Sequence, residues 1–351
     1  MLKLEHKKEM RLKNNMIRKN TSVRNFCNKF NQGLQRAMYA DNIKMRIDDT
    51  TLDKSTENLI NKIYKKIYSD FKTFKSNIND IKDNPYYKNI KPLKKQIGNL
   101  EYTTVRIPAR TVLRMNYPKP INEYAEYRTE LGYYEEDLVV PILKENGEIW
   151  MSITGMEIET AKKAIKKANG NVITFGLGLG YFVYMCSIKD NVDNIVVIEK
   201  NPDIIRIFNE NILPQFKFKD KITVINGDMY DYLSDNEFME KFDYKFADVW
   251  QSNMDGFEHY KKIINIGCSL DNFDFWIEDA LLENLVELIC VYINCYMNDT
   301  VEQLRNTTVT LKRELKQIEK YFEEVDIESG LDIRKLINNK NKLRDILRIK
   351  I

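Results

Sequence analysis

With 351 residues, 43% of them hydrophobic and 30% charged, the chain is too apolar for wholesale disorder and long enough for one large domain with extensions or for two domains. No run of eighteen apolar residues occurs; the best candidate, residues 281–297, carries Glu283 and Glu287 and reads as a buried helix, so no membrane partner is expected. The net charge of +3 hides a split, because residues 1–100 hold 23 Lys and Arg against 10 Asp and Glu, while the remaining 251 hold 32 against 42.

Residues 1–48 are basic and Asn-rich, without the apolar stretch and small-residue cleavage site of a secretory signal, so a cytoplasmic location is expected. Phe26, Phe30, Leu34 and Met38, spaced by four, predict a short amphipathic helix. Lys3, Lys7, Lys8, Arg11, Lys13, Arg18, Lys19 and Arg24 suit either contact with nucleic acid or docking on the acidic remainder of the chain. Leu52, Leu59, Ile60, Ile63, Ile67, Phe71, Phe74 and Ile78 recur at helical spacing and predict a helix over 51–81, closed by Asp83-Asn84-Pro85. Residues 1–100 are therefore expected to form a basic helical N-terminal extension.

Residues 101–154 begin as an irregular aromatic segment and end in a β-hairpin, with strands at 138–143 and 148–153 about the turn signal Asn146-Gly147. Thr154 and Glu157 have the spacing of a capping box and open a helix that Asn169-Gly170 ends. From 155 to 280 strands (172–175, 195–198, 222–225, 244–249, 273–277) alternate with helices, one at 181–188 and one opened by Asn201-Pro202. This alternation predicts an α/β domain with a doubly wound, mostly parallel sheet. Beyond 280 only helical patterns remain, giving a helical C-terminal segment over 281–351; an antiparallel strand pair closing the sheet is not evident.

Five cysteines, none in a C-x-x-C pair, and two histidines, His6 and His259, give no framework for disulfides, a zinc site or a histidine triad. No metal is expected. The chemistry points instead to Phe175-Gly176-Leu177-Gly178-Leu179-Gly180-Tyr181, placed where a strand turns into a helix. Glycine lets such a loop turn sharply and lets a ligand approach the backbone. The glycines fall at i, i+2 and i+4, whereas the dinucleotide fingerprint needs i, i+2 and i+5, so a nicotinamide cofactor is disfavoured. Glu199 ends the next strand, where a carboxylate can accept both hydroxyls of a ribose, and Asp228 follows the third strand, where one can accept from an adenine amino group.

Over residues 155–280 the chain resembles the Rossmann-like class I S-adenosylmethionine (SAM) dependent methyltransferases. That resemblance implies SAM as cofactor, with Gly176, Gly178 and Gly180 beside its methionine portion, Glu199 on the ribose and Asp228 on the adenine. It also implies that Asp248, at the end of the fourth strand, faces the sulfonium methyl together with Trp250. The carboxylate could there take a proton or orient an amine, and the indole could form an apolar or cation-binding wall. The hairpin before the domain is similar to that of spermidine synthases, although their glycine-rich acidic loop is not reproduced, because Tyr181 follows Gly180 directly.

The acceptor is not encoded. After the fourth strand stands Ala247-Asp248-Val249-Trp250-Gln251-Ser252 in place of the Asn/Asp-Pro-Pro-aromatic motif of amino-methylating nucleic-acid enzymes, and no Pro-Cys nucleophile occurs. The expected function is a SAM-dependent methyltransferase with an undetermined acceptor. Two alternatives are an aminopropyltransferase and a non-catalytic module that binds SAM or a nucleotide and uses its basic arm on a partner.

Overall fold

A computed structural model describes residues 18–71 and 73–351. His6 and the basic residues Lys3, Lys7, Lys8, Arg11 and Lys13 lie outside them. Packing divides the described residues into two compact units: residues 43–117 with 129–281, and residues 18–42 with 118–128 and 282–351. Among the described residues no helix is long and apolar enough to cross a membrane.

In chain order the strands are β1 (Lys95–Ile97), β2 (Leu100–Ile107), β3 (Leu113–Arg114), β4 (Lys119–Pro120), β5 (Tyr127–Arg128), β6 (Leu131–Gly132), β7 (Leu138–Glu145), β8 (Glu148–Ser152), β9 (Gly170–Phe175), β10 (Val192–Glu199), β11 (Ile222–Asn226), β12 (Tyr244–Ala247) and β13 (Phe273–Phe275). The first unit holds a five-stranded sheet, parallel throughout, in the order β11-β10-β9-β12-β13. Val172, Ile173 and Phe175 of β9 and Val192, Ile195, Val197 and Ile198 of β10 are buried, the near-continuous apolar reading of strands covered on both faces. From β9 the chain steps outward to β10 and β11, then returns to the other side of β9 for β12 and β13. With right-handed crossovers, this reversal puts the connecting helices on opposite faces and opens a crevice at the carboxyl ends of β9 and β12.

The parallel α/β sheet is thus as expected, and it stops at β13 without an antiparallel pair. Strands β12 and β13 are shorter than predicted. Each ends two residues early: the Trp276 N–H to the Ala247 carbonyl at 2.9 Å is the last rung between them, and Ile277 then turns to a φ of 48°. The predicted hairpin is β7–β8, with Asn146 (φ 53°) and Gly147 (φ 86°) in the left-handed region that a two-residue primed turn requires. In the aromatic segment regularity exceeds expectation: β2 pairs with β7 over eight residues, from Leu100↔Glu145 to Ile107↔Leu138, completing an antiparallel sheet β1-β2-β7-β8.

The helix predicted over 51–81 is corrected to Lys54–Ile67, capped by the Asp53 carboxylate on the Thr56 N–H at 2.7 Å. Beyond it Phe71 and Phe74 join Tyr64 in a ring cluster with Tyr133 at 5.1–6.3 Å. There the Phe74 carbonyl accepts the Tyr133 N–H, and the Ser76 N–H donates to the Tyr133 carbonyl, both at 2.8 Å. Apolar spacing alone could not reveal these loop bonds, which replace a helical ladder. Asn84 caps a separate short helix, Pro85–Asn89.

The second unit gathers residues 21–42 of helix Thr21–Ile47 with helices Glu283–Met297, Val301–Thr307, Lys312–Glu324, Gly330–Ile337 and Lys340–Arg348. Phe26 and Phe30 of the predicted stripe are buried, but Met38 is 59% exposed. Arg36 makes a bidentate pair with the buried Glu126 at 2.6 and 2.8 Å, and the Ser22 hydroxyl accepts the Gly330 N–H at 3.0 Å. Of the basic run, Arg18 pairs with Asp299, and Arg24 donates to the Arg18 carbonyl. Cys27, Cys186, Cys268 and Cys290 are buried free thiols, and Cys295 is half-buried.

Candidate functional site

Strand β9 ends at Phe175, and the chain then passes through Gly176 (φ 93°), Gly178 (φ 49°) and Gly180 (φ 71°). At these angles a side chain is strained, and the surroundings leave no room for one. A Cβ at Gly176 would lie 1.9 Å from the Asp248 carbonyl oxygen, one at Gly178 2.4 Å from Met151 Sδ, and one at Gly180 2.5 Å from the Phe208 ring. The Gly176 N–H bonds the Ile198 carbonyl (2.9 Å), the Leu177 N–H Glu199 Oε2 (3.0 Å), the Leu179 N–H Met151 Sδ (3.1 Å) and the Gly180 N–H the Leu177 carbonyl (2.8 Å). The Gly178 N–H has no partner among the described residues.

Glu199, the last residue of β10, is 8% exposed, and its Oε1 accepts the Asn201 N–H at 2.7 Å. Its carboxylate therefore braces the glycine loop against the next turn while each oxygen keeps a lone pair. Asp228 caps helix Met229–Leu233 through the Tyr230 N–H (3.0 Å) and pairs with Lys200 Nζ (2.8 Å). The Lys200 ammonium, followed by that backbone bond, holds the Asp228 carboxyl below the usual carboxylate range. The Tyr230 hydroxyl lies 2.7 Å from His259 Nδ1.

Asp248 follows β12, fixed by its N–H to the Phe175 carbonyl at 2.9 Å. Burial raises its carboxyl to about 7. Across the cavity Glu157, in the first turn of helix Gly155–Lys167, rises to about 8, through burial first and the charge of Asp248 second. The expected capping box is not formed, because Thr154 stands at the N-cap without a side-chain bond to the helix, which leaves the Glu157 carboxyl unused. On the same cavity the Trp276 indole Nε1–H donates to Thr160 Oγ1 at 3.0 Å, and the Tyr117 ring meets Trp276 edge-on at 5.2 Å. Trp250 is 4% exposed, and its indole N–H finds no acceptor among the described residues.

A cavity of about 380 Å³ brings these groups together: Gly176, Gly178, Glu199, Asp228, Asp248 and Trp250 all line it. Gly180 does not; it packs behind the wall on Phe208. Sequence reasoning missed Glu157, Met151, His259 and Trp276, which also line the cavity. An acid three residues after a threonine at a helix start already has a local explanation, so Glu157 gave no signal. Tyr181 and Phe182 serve as core as well as wall, Tyr181 by accepting from Asn84 at 2.9 Å and Phe182 by stacking on Phe246 at 4.4 Å.

No protein-family model matches the chain, and no curated protein matches it. Among solved structures it is similar to a provisionally assigned O-methyltransferase from Klebsiella pneumoniae, with 16% identity and a TM-score of 0.23 over 30% of this chain and 46% of that one. It is also similar to spermidine synthase from Thermotoga maritima, with 13% identity and a TM-score of 0.31 over 47% of this chain and 60% of that one. The chain spans less than two thirds of either protein. Likenesses this low carry no functional argument, and the fold assignment rests on the sheet topology.

Proposed function

We propose that the protein is a SAM-dependent methyltransferase. One observation carries this reading: one cavity at the carboxyl ends of β9, β10 and β12 is lined both by a glycine loop with the strand-end acids Glu199 and Asp228 and by the carboxyls of Glu157 and Asp248 with the indoles of Trp250 and Trp276. Such a division suits a nucleoside donor at one end and an acceptor at the other. The cavity volume lies in the range of small-molecule sites, and the unpartnered Gly178 N–H offers a donor to the methionine portion. The free lone pairs of Glu199 would accept the ribose hydroxyls, and Asp228 the adenine amino group. When bound, SAM supplies a methyl carbon activated by positive sulfur. The protein then has to align the acceptor with that carbon and, where the acceptor carries a proton, receive it on Asp248.

A second reading, aminopropyl transfer, is favoured by the charge of the wall. Glu145, Glu157, Glu199, Asp228 and Asp248 line the cavity, and its one lysine, Lys200, is engaged by Asp228, so among the described residues no spare ammonium or guanidinium awaits the carboxylate of SAM. A donor lacking that carboxylate would need none.

Incubation of the purified protein with labelled SAM and cell extract, followed by mass spectrometry, separates the readings: a transferred methyl supports the first, and transfer of an aminopropyl group from the decarboxylated donor the second. Binding without transfer leaves a non-catalytic module. Calorimetry should give a SAM affinity between low micromolar and millimolar, as is usual for enzyme substrates. Gly178→Leu, which drives a side chain against Met151 and into the cavity wall, should abolish that binding while the protein stays folded. Binding of NADH in place of SAM by the wild-type protein would overturn the reading.

A further inference from the structure

Glu157 and Asp248 have a feature that the donor end of the cavity lacks. Glu199 and Asp228 each spend oxygens on protein donors, whereas neither Glu157 nor Asp248 has a side-chain hydrogen-bond partner among the described residues. Both are half-buried on the cavity wall, where a carboxyl without partners is costly unless a ligand or water supplies the missing donors or the group keeps its proton. Trp250 lines the same cavity; its indole N–H is enclosed without an acceptor among the described residues and is not matched by a ligand that only donates, so its contribution to such a ligand is its ring.

The surroundings narrow the ligand. Among the described residues the one lysine on the wall is committed to Asp228, so an anionic acceptor finds no free cation there to pair with. The indole faces of Trp250 and Trp276 add the negative quadrupoles that favour a cation. Proton affinity separates amines from alcohols. An alkylammonium, with a pKa of about 10.4, lies within a few units of either acid, whereas an alkyl hydroxyl is a far weaker acid and is out of reach.

We propose that Glu157 and Asp248 form the acceptor end of the cavity and that the acceptor is a primary amine bound as its ammonium ion. The inference rests on the transferase reading above and names the substrate class for that site. The ammonium donates to both carboxyls. One of its protons passes to a carboxylate oxygen, leaving a nitrogen lone pair. That lone pair attacks the methyl carbon; the C–N bond forms as the C–S bond breaks, and the electron pair stays on sulfur, which becomes a neutral thioether. The nitrogen is left as a secondary ammonium, and the carboxyl returns its proton to solvent.

The test uses the full chain and the isosteric probes butylamine, 1-butanol and butyrate, titrated by calorimetry without SAM. Butylamine should bind and the other two should not. Glu157→Gln and Asp248→Asn should each weaken butylamine at least about tenfold, about 1.4 kcal/mol, while Glu157→Gln leaves SAM affinity within a fewfold. Melting curves verify that both variants are folded. Failure of butylamine to bind at tens of millimolar, equal binding of butanol or butyrate, or unchanged butylamine affinity in both folded variants overturns the proposal. If butylamine binds as described but SAM does not, the donor reading fails and the amine site stands. With SAM present, a labelled methyl group should appear on butylamine, and Asp248→Asn should slow its appearance at least about tenfold.

Discussion

Gly176→Ala should cost about 4 kcal/mol or more of folding stability, placing it among the most damaging single substitutions. A φ of 93° already disfavours alanine by about 1 kcal/mol. The larger part comes from the Cβ, which would stand 1.9 Å from the Asp248 carbonyl oxygen. That oxygen belongs to backbone and cannot swing aside as a side chain would. On one side the Gly176 N–H is tied to Ile198 and on the other the Asp248 N–H to Phe175, both at 2.9 Å, so relief requires β9 and β12 to part where they form the crevice. Gly147→Ala is the control, since its φ of 86° is similar but a Cβ there meets nothing within 4 Å. It should cost only about 1 kcal/mol. Denaturant midpoints at constant slope measure both, and equal losses would show that conformation, not the clash, makes Gly176 necessary.

The second large effect is a pH dependence opposite to ordinary acid denaturation. Glu157 and Asp248 hold their protons in the folded protein up to about 8 and about 7, whereas in the unfolded chain they lose them near 4. Between those limits the folded state binds more protons than the unfolded one, so stability falls as pH rises. The contribution is complete below about pH 4 and gone above about pH 8. Asp228 and Glu126, each held below the usual range by its basic partner first, act the other way and lose stability only at lower pH. Glu157→Gln, which needs no proton to stay neutral, should therefore leave melting at pH 5 nearly unchanged and raise it at pH 8, by about 2 kcal/mol or several degrees. A Glu157→Gln protein that melts at or below the wild-type temperature at pH 8 would show that the carboxyl is neither desolvated nor unpaired in solution.

Much of the architecture is legible in local chemistry. The alternation from β9 to β13 needs only apolar runs of strand length separated by helical spacing, and Asn146-Gly147 marks its hairpin because both residues tolerate a positive φ. The glycine loop and the acids Glu199, Asp228 and Asp248 stand at strand ends by the same reading, and the parallel order carries all but Gly180 to one cavity. These features depend on what each residue can do within a few neighbours along the chain.

Other features depend on contacts between residues far apart, which leave no periodicity to read. The pairing of β2 with β7 makes regular strand of a segment whose prolines and tyrosines suggest irregularity. The rings of Phe71 and Phe74 fit a helical pattern equally well, yet the bond between Phe74 and Tyr133 holds that residue in a loop, with the Phe71 ring packed against Phe74. Arg36 finds Glu126 ninety positions away, which draws residues 118–128 into the helical unit. Glu157 has the spacing of a cap and the location of a ligand-binding group. Its sequence neighbours explain it without the cavity, and only the packing of its helix on the cavity that Asp248 also lines raises its hold on a proton.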